Sequence, residues 1–223
     1  MKALIPNTGC AAIPILGEAG EKLGTLDPIS VELGKSAEVV DALTRWRRMF
    51  MRYFLTQFHA TPERTTVWLE NQILPDDTRI LFLLRCDEGR AVGNFGVCDI
   101  DVDRAELDNL VRGERGGDAR LVYYSEIALM HWLYSFVGVK RIRLHVFSTN
   151  SRTIALHKSV GFEEQCAFPL AKTVKDTDVR YSVIEASHLR AGDLAYVRFE
   201  MTNERFYARH TWVPSVYVES VQT

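Results

Sequence analysis

The sequence predicts a single mixed α/β domain, and three observations carry that reading. Apolar spacing switches several times between a helical period of roughly 3.6 and a strand period of about 2. The segments so defined run as helices, a hairpin, a third strand, a glycine-rich loop, a long helix, a strand, a short helix and closing strands, mixing both element types within one unit. With 223 residues, 47% hydrophobic and 25% charged, the chain is long enough to bury one full core.

Gly9, Gly17, Gly20, Gly24 and Gly34, with Pro6, Pro14 and Pro28, punctuate residues 1–35 too often for a long helix. Residues 1–28 are therefore expected to form an arm, and 29–223 the domain, which opens on a short strand at 29–33. From the candidate N-cap Ser36, Val39, Val40, Leu43, Trp46, Met49, Phe50, Tyr53 and Phe54 recur as on one helix face. Thr61-Pro62-Glu63 has the form of a cap, a first-turn proline and an early acid, and opens a second helix ending before Pro75. Segments 79–85 and 91–97, joined through Asp87-Glu88-Gly89, read as a β-hairpin, with a third strand at 106–111. After the loop Arg112-Gly113-Glu114-Arg115-Gly116-Gly117, one stripe of Leu121, Tyr124, Ala128, Leu129, Trp132, Leu133 and Phe136 marks a helix over 119–137, stopped by Gly138. Residues 141–146 alternate as a strand, Ser148 to Ser151 supply cap chemistry for a helix over 152–160, and Gly161 is its stop. Strands are expected at 164–170, 179–185 and 195–201, the last alternating Ala195, Val197, Phe199 and Met201 against Tyr196, Arg198 and Glu200. The apolar tail with Phe206, Tyr207, Trp212, Val216 and Tyr217 would pack on the domain or on a second subunit, so a homodimer is one expectation.

Charge and composition narrow the function. Lys+Arg 27 against Asp+Glu 29 leaves a formal net charge of −2, with no global positive field to draw nucleic acid or an anionic membrane. The longest apolar run, Ile80 to Leu84, is far below the roughly 20 residues that span a bilayer. No basic-then-apolar leader is visible at the start, so a cytoplasmic location is expected. The four cysteines and six histidines are scattered without ligand spacing, and neither a metal site nor a disulfide framework is expected.

The richest stretch is the glycine loop, where a strand delivers the chain into a long helix. Exposed N–H groups of such a turn and the positive end of a helix dipole together suit a phosphate, with Arg112 and Arg115 adding charge. Taken alone, such a turn is more often a connection. The pattern is neither a P-loop nor a dinucleotide fingerprint, because the strand before it follows a hairpin and opens no βαβ unit.

Some 30 residues downstream, Asn150-Ser151-Arg152-Thr153-Ile154-Ala155-Leu156-His157-Lys158-Ser159-Val160-Gly161-Phe162 resembles the N-x-x-A-x-x-L-Y-x-x-x-G-F signature of the GNAT superfamily of acyl-CoA-dependent N-acyltransferases. The resemblance covers about residues 30–185 and includes Trp46-Arg47-Arg48 in the first helix. It looks closest to acetyltransferases of nucleotide-linked amino sugars, which share the Asn109-Leu110-Val111-Arg112-Gly113 type of strand end. The resemblance implies one domain with a mostly antiparallel, splayed sheet flanked by helices, and acetyl-CoA as cosubstrate. Leu110 and Val111 would offer backbone groups to the pantetheine arm. The amides of Arg112, Gly113, Arg115, Gly116 and Gly117 would hold the pyrophosphate, helped by Arg152, and Asn150 would bind the pantetheine or cap its helix.

One departure concerns the thiolate. Where many relatives carry a tyrosine that protonates it, this chain has His157, which would supply the proton or else only pack or bind phosphate. The attacking amine must also lose a proton, and Asp108, Glu106, Glu126 and His145 are the candidate acceptors, Asp108 first because it lies on the third strand beside the acyl site. Arg45, Arg47 and Arg48, interleaved with Trp46, Phe50 and Tyr53, would turn outward, and in an enzyme of nucleotide-linked sugars one would contact an acceptor phosphate. The expected function is N-acetyl transfer, by direct attack in a ternary complex, to a small-molecule amine carried on a nucleotide. A protein N-terminus, an antibiotic-like amine or a non-catalytic acyl-CoA sensor are the alternatives.

Overall fold

The computed structural model describes residues 11–184 and 193–219; the first ten residues of the expected arm and Glu185 of an expected strand lie outside them. Gly17 and Gly20 close a turn between β1 (Ile13–Leu16) and β2 (Lys22–Pro28), which bury Ile13, Ile15, Leu23 and Leu26. Residues 13–28 are thus two strands of the main sheet and not an arm. The expected strand at 29–33 is also replaced. Ser30 Oγ accepts the Leu33 N–H and opens the one-turn helix α1 (Val31–Gly34), so a local cap outweighs the β preference of Ile29 and Val31.

Helix α2 (Ala37–Phe50) ends in a 3₁₀ turn over Met51–Tyr53 and leads to the short β3 (Thr56–Gln57). Thr61 Oγ1 accepts the Arg64 N–H at the start of α3 (Pro62–Trp68), which continues as a π-helical turn to Ile73. The hairpin is β4 (Ile80–Cys86) and β5 (Ala91–Cys98), followed by β6 (Arg104–Arg112). Helix α4 (Leu121–Trp132) extends through a π turn to Val137, and Gly138 ends it at φ 87°. Then come β7 (Arg141–Phe147), α5 (Ser151–Val160), β8 (Glu163–Lys175), β9 (Asp178–Val183), β10 (Ala195–Thr202), α6 (Asn203–Arg209) and α7 (Val213–Glu219).

The strands form one sheet in the order β1-β2-β4-β5-β6-β7-β10-β8-β9-β3. Every neighbouring pair is antiparallel except β6 and β7. One face carries α4, α6 and α7 over Leu107, Leu144 and Phe199; the other carries α1 to α3 over Leu81, Leu83 and Val111, around a Trp46 that is 1% exposed. Phe206, Val213 and Tyr217 enter the first cluster, and the Tyr217 hydroxyl donates to Pro14 O at 3.1 Å, so the described tail packs on its own domain.

The parallel pair is where the sheet opens. β6 and β7 pair with each other only from Arg104↔Arg141 to Leu107↔Leu144; beyond that β6 runs on to Arg112 beside β5 alone, and β7 to Phe147 beside β10 alone. The cause lies on the far side of β6, where its register with β5 slips between Gly96↔Asp108 and Asn94↔Val111 and Asn109 takes φ 51°. A bulge of this kind bends and twists its strand, here away from β7.

Candidate active site

Asn94 Nδ2 pins the bulge by donating to Asn109 O at 2.5 Å. Beyond it Gly113 N–H donates to Val92 O, and Val111 pairs with Asn94. Strand alternation therefore turns the N–H and C=O of Leu110 and Arg112 into the splay. Leu110 lies where a pantetheine contact was expected. Val111 does not, because its backbone is committed to β5 and its side chain to the core.

At the mouth of the splay the glycine loop is held by its carbonyls. Arg90 Nη1 donates to Arg115 O at 2.9 Å, and Arg112 donates through Nε to Glu114 O at 3.0 Å and through Nη2 to Gly116 O. Gly116 and Gly117, at φ 118° and 65°, complete the turn. The N–H groups of Arg115, Gly116, Gly117 and Ala119 have no acceptor among the described residues and stand at the N-terminal end of α4, which suits a diphosphate. One expected contact is corrected: the Gly113 amide is spent on Val92 O. The Arg112 guanidinium serves the loop's own carbonyls through Nε and Nη2, while its Nη1 is buried without a partner among the described residues. Exposed Arg115 and Arg152 are without a side-chain partner among the described residues and remain available to phosphate. Asn150 Oδ1 caps α5 by accepting the Thr153 N–H at 3.4 Å.

Gly113 has another task. A Cβ there would lie 2.0 Å from Trp46 Cδ1, while Trp46 Nε1 and Arg45 Nη2 reach Glu114 Oε1 at 3.0 and 2.7 Å. Helix α2 thus clamps the loop, a contact no local pattern announced. Gly113→Ala forces a buried ring to move and is expected to cost about 1–3 kcal/mol. Thermal unfolding should show the loss and calorimetry a weaker acetyl-CoA affinity; wild-type values in both would dismiss the clamp.

The candidate proton carriers fall on opposite faces of the sheet. On the α4 face, His157 Nδ1 lies 2.6 Å from Glu126 Oε1, with side chains 5% and 0% exposed, and the imidazole meets Phe162 edge-on. Glu126 Oε2 is buried without a partner, and His157 Nε2 has none among the described residues. Glu126 is fully buried on the α4 face, and its one hydrogen-bond partner among the described residues is His157, so it is not placed to take a proton from an amine on the other face.

The opposite face holds Asp108, the first residue of β6 beyond its pairing with β7. Its carboxylate accepts from Asn109 N–H and Nδ2, both at 2.6 Å, and from Arg79 Nη1 at 3.2 Å. Burial nevertheless outweighs these donors and raises its pKa above the ordinary aspartate value. Glu106 behaves oppositely: burial pushes it up, but hydrogen bonds from His145 (2.8 Å) and Arg143 (2.7 Å) hold it below the usual range. Arg47 is not turned outward as expected. Its guanidinium lies 3.5 Å over Phe54, Nη2 donates to Thr56 O at 2.9 Å, Nε is buried without a partner, and burial lowers its pKa to about 10 against the pull of Asp108. Arg198 and Tyr196, whose alternating strand was legible but whose neighbours were not, join this face beside His145.

A parallel strand pair opened by a bulge, with free amides and a helix N-terminus at its mouth, has the shape and polarity that suit a phosphate-bearing cosubstrate. The chain belongs to the GNAT acetyltransferase family: the sequence profile of the Acetyltransferase (GNAT) domain matches residues 33–163, more than half of its length. It is an acetyl-CoA-dependent N-acetyltransferase. No curated protein matches it. Among solved structures it is similar to a GCN5-related N-acetyltransferase from Brucella melitensis (12% identity, 96% of this chain and 89% of that one, TM-score 0.67). It is also similar to the RimL ribosomal L7/L12 alpha-N-protein acetyltransferase in complex with coenzyme A (11%, 86% and 98%, 0.60). A third is spermidine N-acetyltransferase from Vibrio cholerae in complex with CoA and spermine (12%, 77% and 94%, 0.58). At these identities the likeness is one of fold.

Proposed function

We propose that the acceptor is a small molecule bearing both a primary amine and an anionic group, as a nucleotide-linked amino sugar does. The observation that carries this is Arg47, a guanidinium near Asp108 with a buried, unpartnered Nε and no carboxylate partner among the described residues. A buried donor left unsatisfied is costly, and an anion is the ligand that satisfies it best. A polyamine would meet repulsion there.

The chemistry follows from the two faces. Acetyl-CoA supplies an activated thioester. Leu110 N–H, turned into the splay by the bulge, polarises its carbonyl where negative charge develops. Asp108 takes the ammonium proton, which frees the lone pair, and a raised pKa brings a carboxylate closer to the strength that task needs. As the C–N bond forms and the C–S bond breaks, His157 Nε2 donates a proton to the departing thiolate, while Glu126 holds the ring through Nδ1. In this reading the two groups act on one reacting carbon held in the splay, one from each face of the sheet. No covalent enzyme intermediate is required, and positioning contributes much of the rate.

Release of free coenzyme A, followed with a thiol reagent, tests the acceptor. With UDP-glucosamine, glucosamine, spermidine and a short peptide amine as substrates, kcat/KM is expected to be at least about tenfold higher for UDP-glucosamine than for the others. A preference for spermidine or the peptide would refute the reading.

A further inference from the structure

Among the described residues, four arginines interact with Asp108, Glu106 or His145, and two of them are neutralised. Arg79 pairs with Asp76 and Asp108, and Arg143 with Glu106 and Asp99. Arg47 supports the anionic acceptor already described. Arg198 is the fourth, and the chain holds it in one fixed pose.

Arg198 Nε donates to His145 Nε2 at 3.1 Å. A guanidinium has only donors, so Nε2 must be the acceptor and the ring proton sits on Nδ1. That proton is donated to Glu106 Oε1 at 2.8 Å, and Glu106 Oε2 takes Arg143 Nε at 2.7 Å. The chain of bonds thus runs from β10 through β7 to β6. The imidazole is further fixed by stacking on Tyr196 (5.0 Å, 18°), and Phe168 lies 4.9 Å below the Arg198 guanidinium. Neither aromatic ring offers Arg198 a carboxylate. With Nε spent and the plane fixed, both terminal nitrogens lack a hydrogen-bond partner among the described residues.

A fork of two free N–H edges, oriented by a neutral acceptor instead of a carboxylate, keeps its full charge for a ligand. We propose that Arg198 receives the phosphate of the acceptor and that His145 is the positioning residue that aims it. The proposal rests on the anionic-acceptor reading and names the residue that enforces it. It also gives the Glu106–His145 pair a role other than proton abstraction, because His145 Nε2 is already occupied.

Calorimetry on the coenzyme-A-saturated protein tests this with glucosamine, glucosamine 1-phosphate and UDP-glucosamine, reading the ratio of Kd for the neutral sugar to that for each phosphorylated one. In the wild type the ratio is expected to be about tenfold or more, the size of one charge-assisted contact. Arg198→Gln is expected to lower it several-fold, leaving the part that Arg47 supplies. His145→Gln, which keeps an oxygen acceptor near the position of Nε2, should retain most of the ratio, and His145→Leu should lower it as Arg198→Gln does. A residue that merely supported the fold would weaken all three ligands together and leave the ratio intact. Retention of the wild-type ratio in Arg198→Gln overturns the proposal. A wild type that binds none of the sugars, or all equally, overturns the anionic-acceptor reading beneath it. A gain confined to UDP-glucosamine assigns the contact to the nucleotide diphosphate; a gain with both phosphorylated sugars assigns it to a sugar phosphate.

Discussion

Asp108→Asn is expected to lower kcat by about two orders of magnitude, the contribution of a positioned proton acceptor, while the KM for acetyl-CoA stays near the wild-type value. The wild-type enzyme should lose activity as pH falls through the Asp108 pKa, because only the carboxylate can accept a proton. Burial places that limb above the 3.8 of an ordinary aspartate. Stability moves the other way. Since folding raises this pKa, the native protein takes up the proton more readily than the unfolded chain, and the ionised carboxylate opposes folding above its ordinary pKa. Asparagine removes that charge, and Arg79 keeps Asp76 at 3.4 Å, so Tm at neutral pH should hold or rise. Steady-state pH profiles and a melting curve decide the matter together: wild-type kcat with an unmoved acid limb would take Asp108 out of the chemistry.

The Glu126–His157 pair should produce the largest change in stability. Removing one partner from a buried, hydrogen-bonded pair of ionisable groups strands the other, which typically costs about 3–5 kcal/mol. For Glu126→Ala this corresponds to a fall in Tm on the order of 10 °C in a domain of this size. Replacing both partners, as in Glu126→Leu with His157→Phe, leaves no polar group stranded and should recover most of that loss. Turnover should not recover, and kcat is expected to stay about 10²-fold down because the thiolate has lost its proton donor. The double variant thus separates packing from proton delivery. If it turned over at the wild-type rate from about pH 6 to 9, His157 would be a core residue only.

Much of this site was legible wherever its signal was local. Asn150 as a cap, Gly161 as a left-handed stop and the glycine loop before a long helix are each decided by a few neighbouring residues, and all stand where spacing put them. Asp108 stands out because it lies on the third strand beside the acyl site that the family resemblance implies. Residues 13–28 form strands where an arm is expected because Gly17 and Gly20 make the turn of a hairpin and Pro14 lies in its edge strand, where proline is tolerated. For Gly113 the phosphate role rests on backbone freedom and on the family resemblance. Its actual partners, the Val92 carbonyl and the Trp46 ring, like the Gly116 carbonyl that Arg112 meets, depend on how the strand end twists and how α2 packs.

What the sequence alone determined is most of the succession of elements, the glycine loop ahead of a long helix and the family signature, because caps, stops and alternation act over a few residues. Only the tertiary structure decided which side chains share a proton or a charge. His157 meets Glu126 across 31 positions and Arg198 meets His145 across 53. Such meetings follow from strand register, helix packing and one bulge at Asn109, and a one-residue slip in any strand would turn the same side chains to the other face.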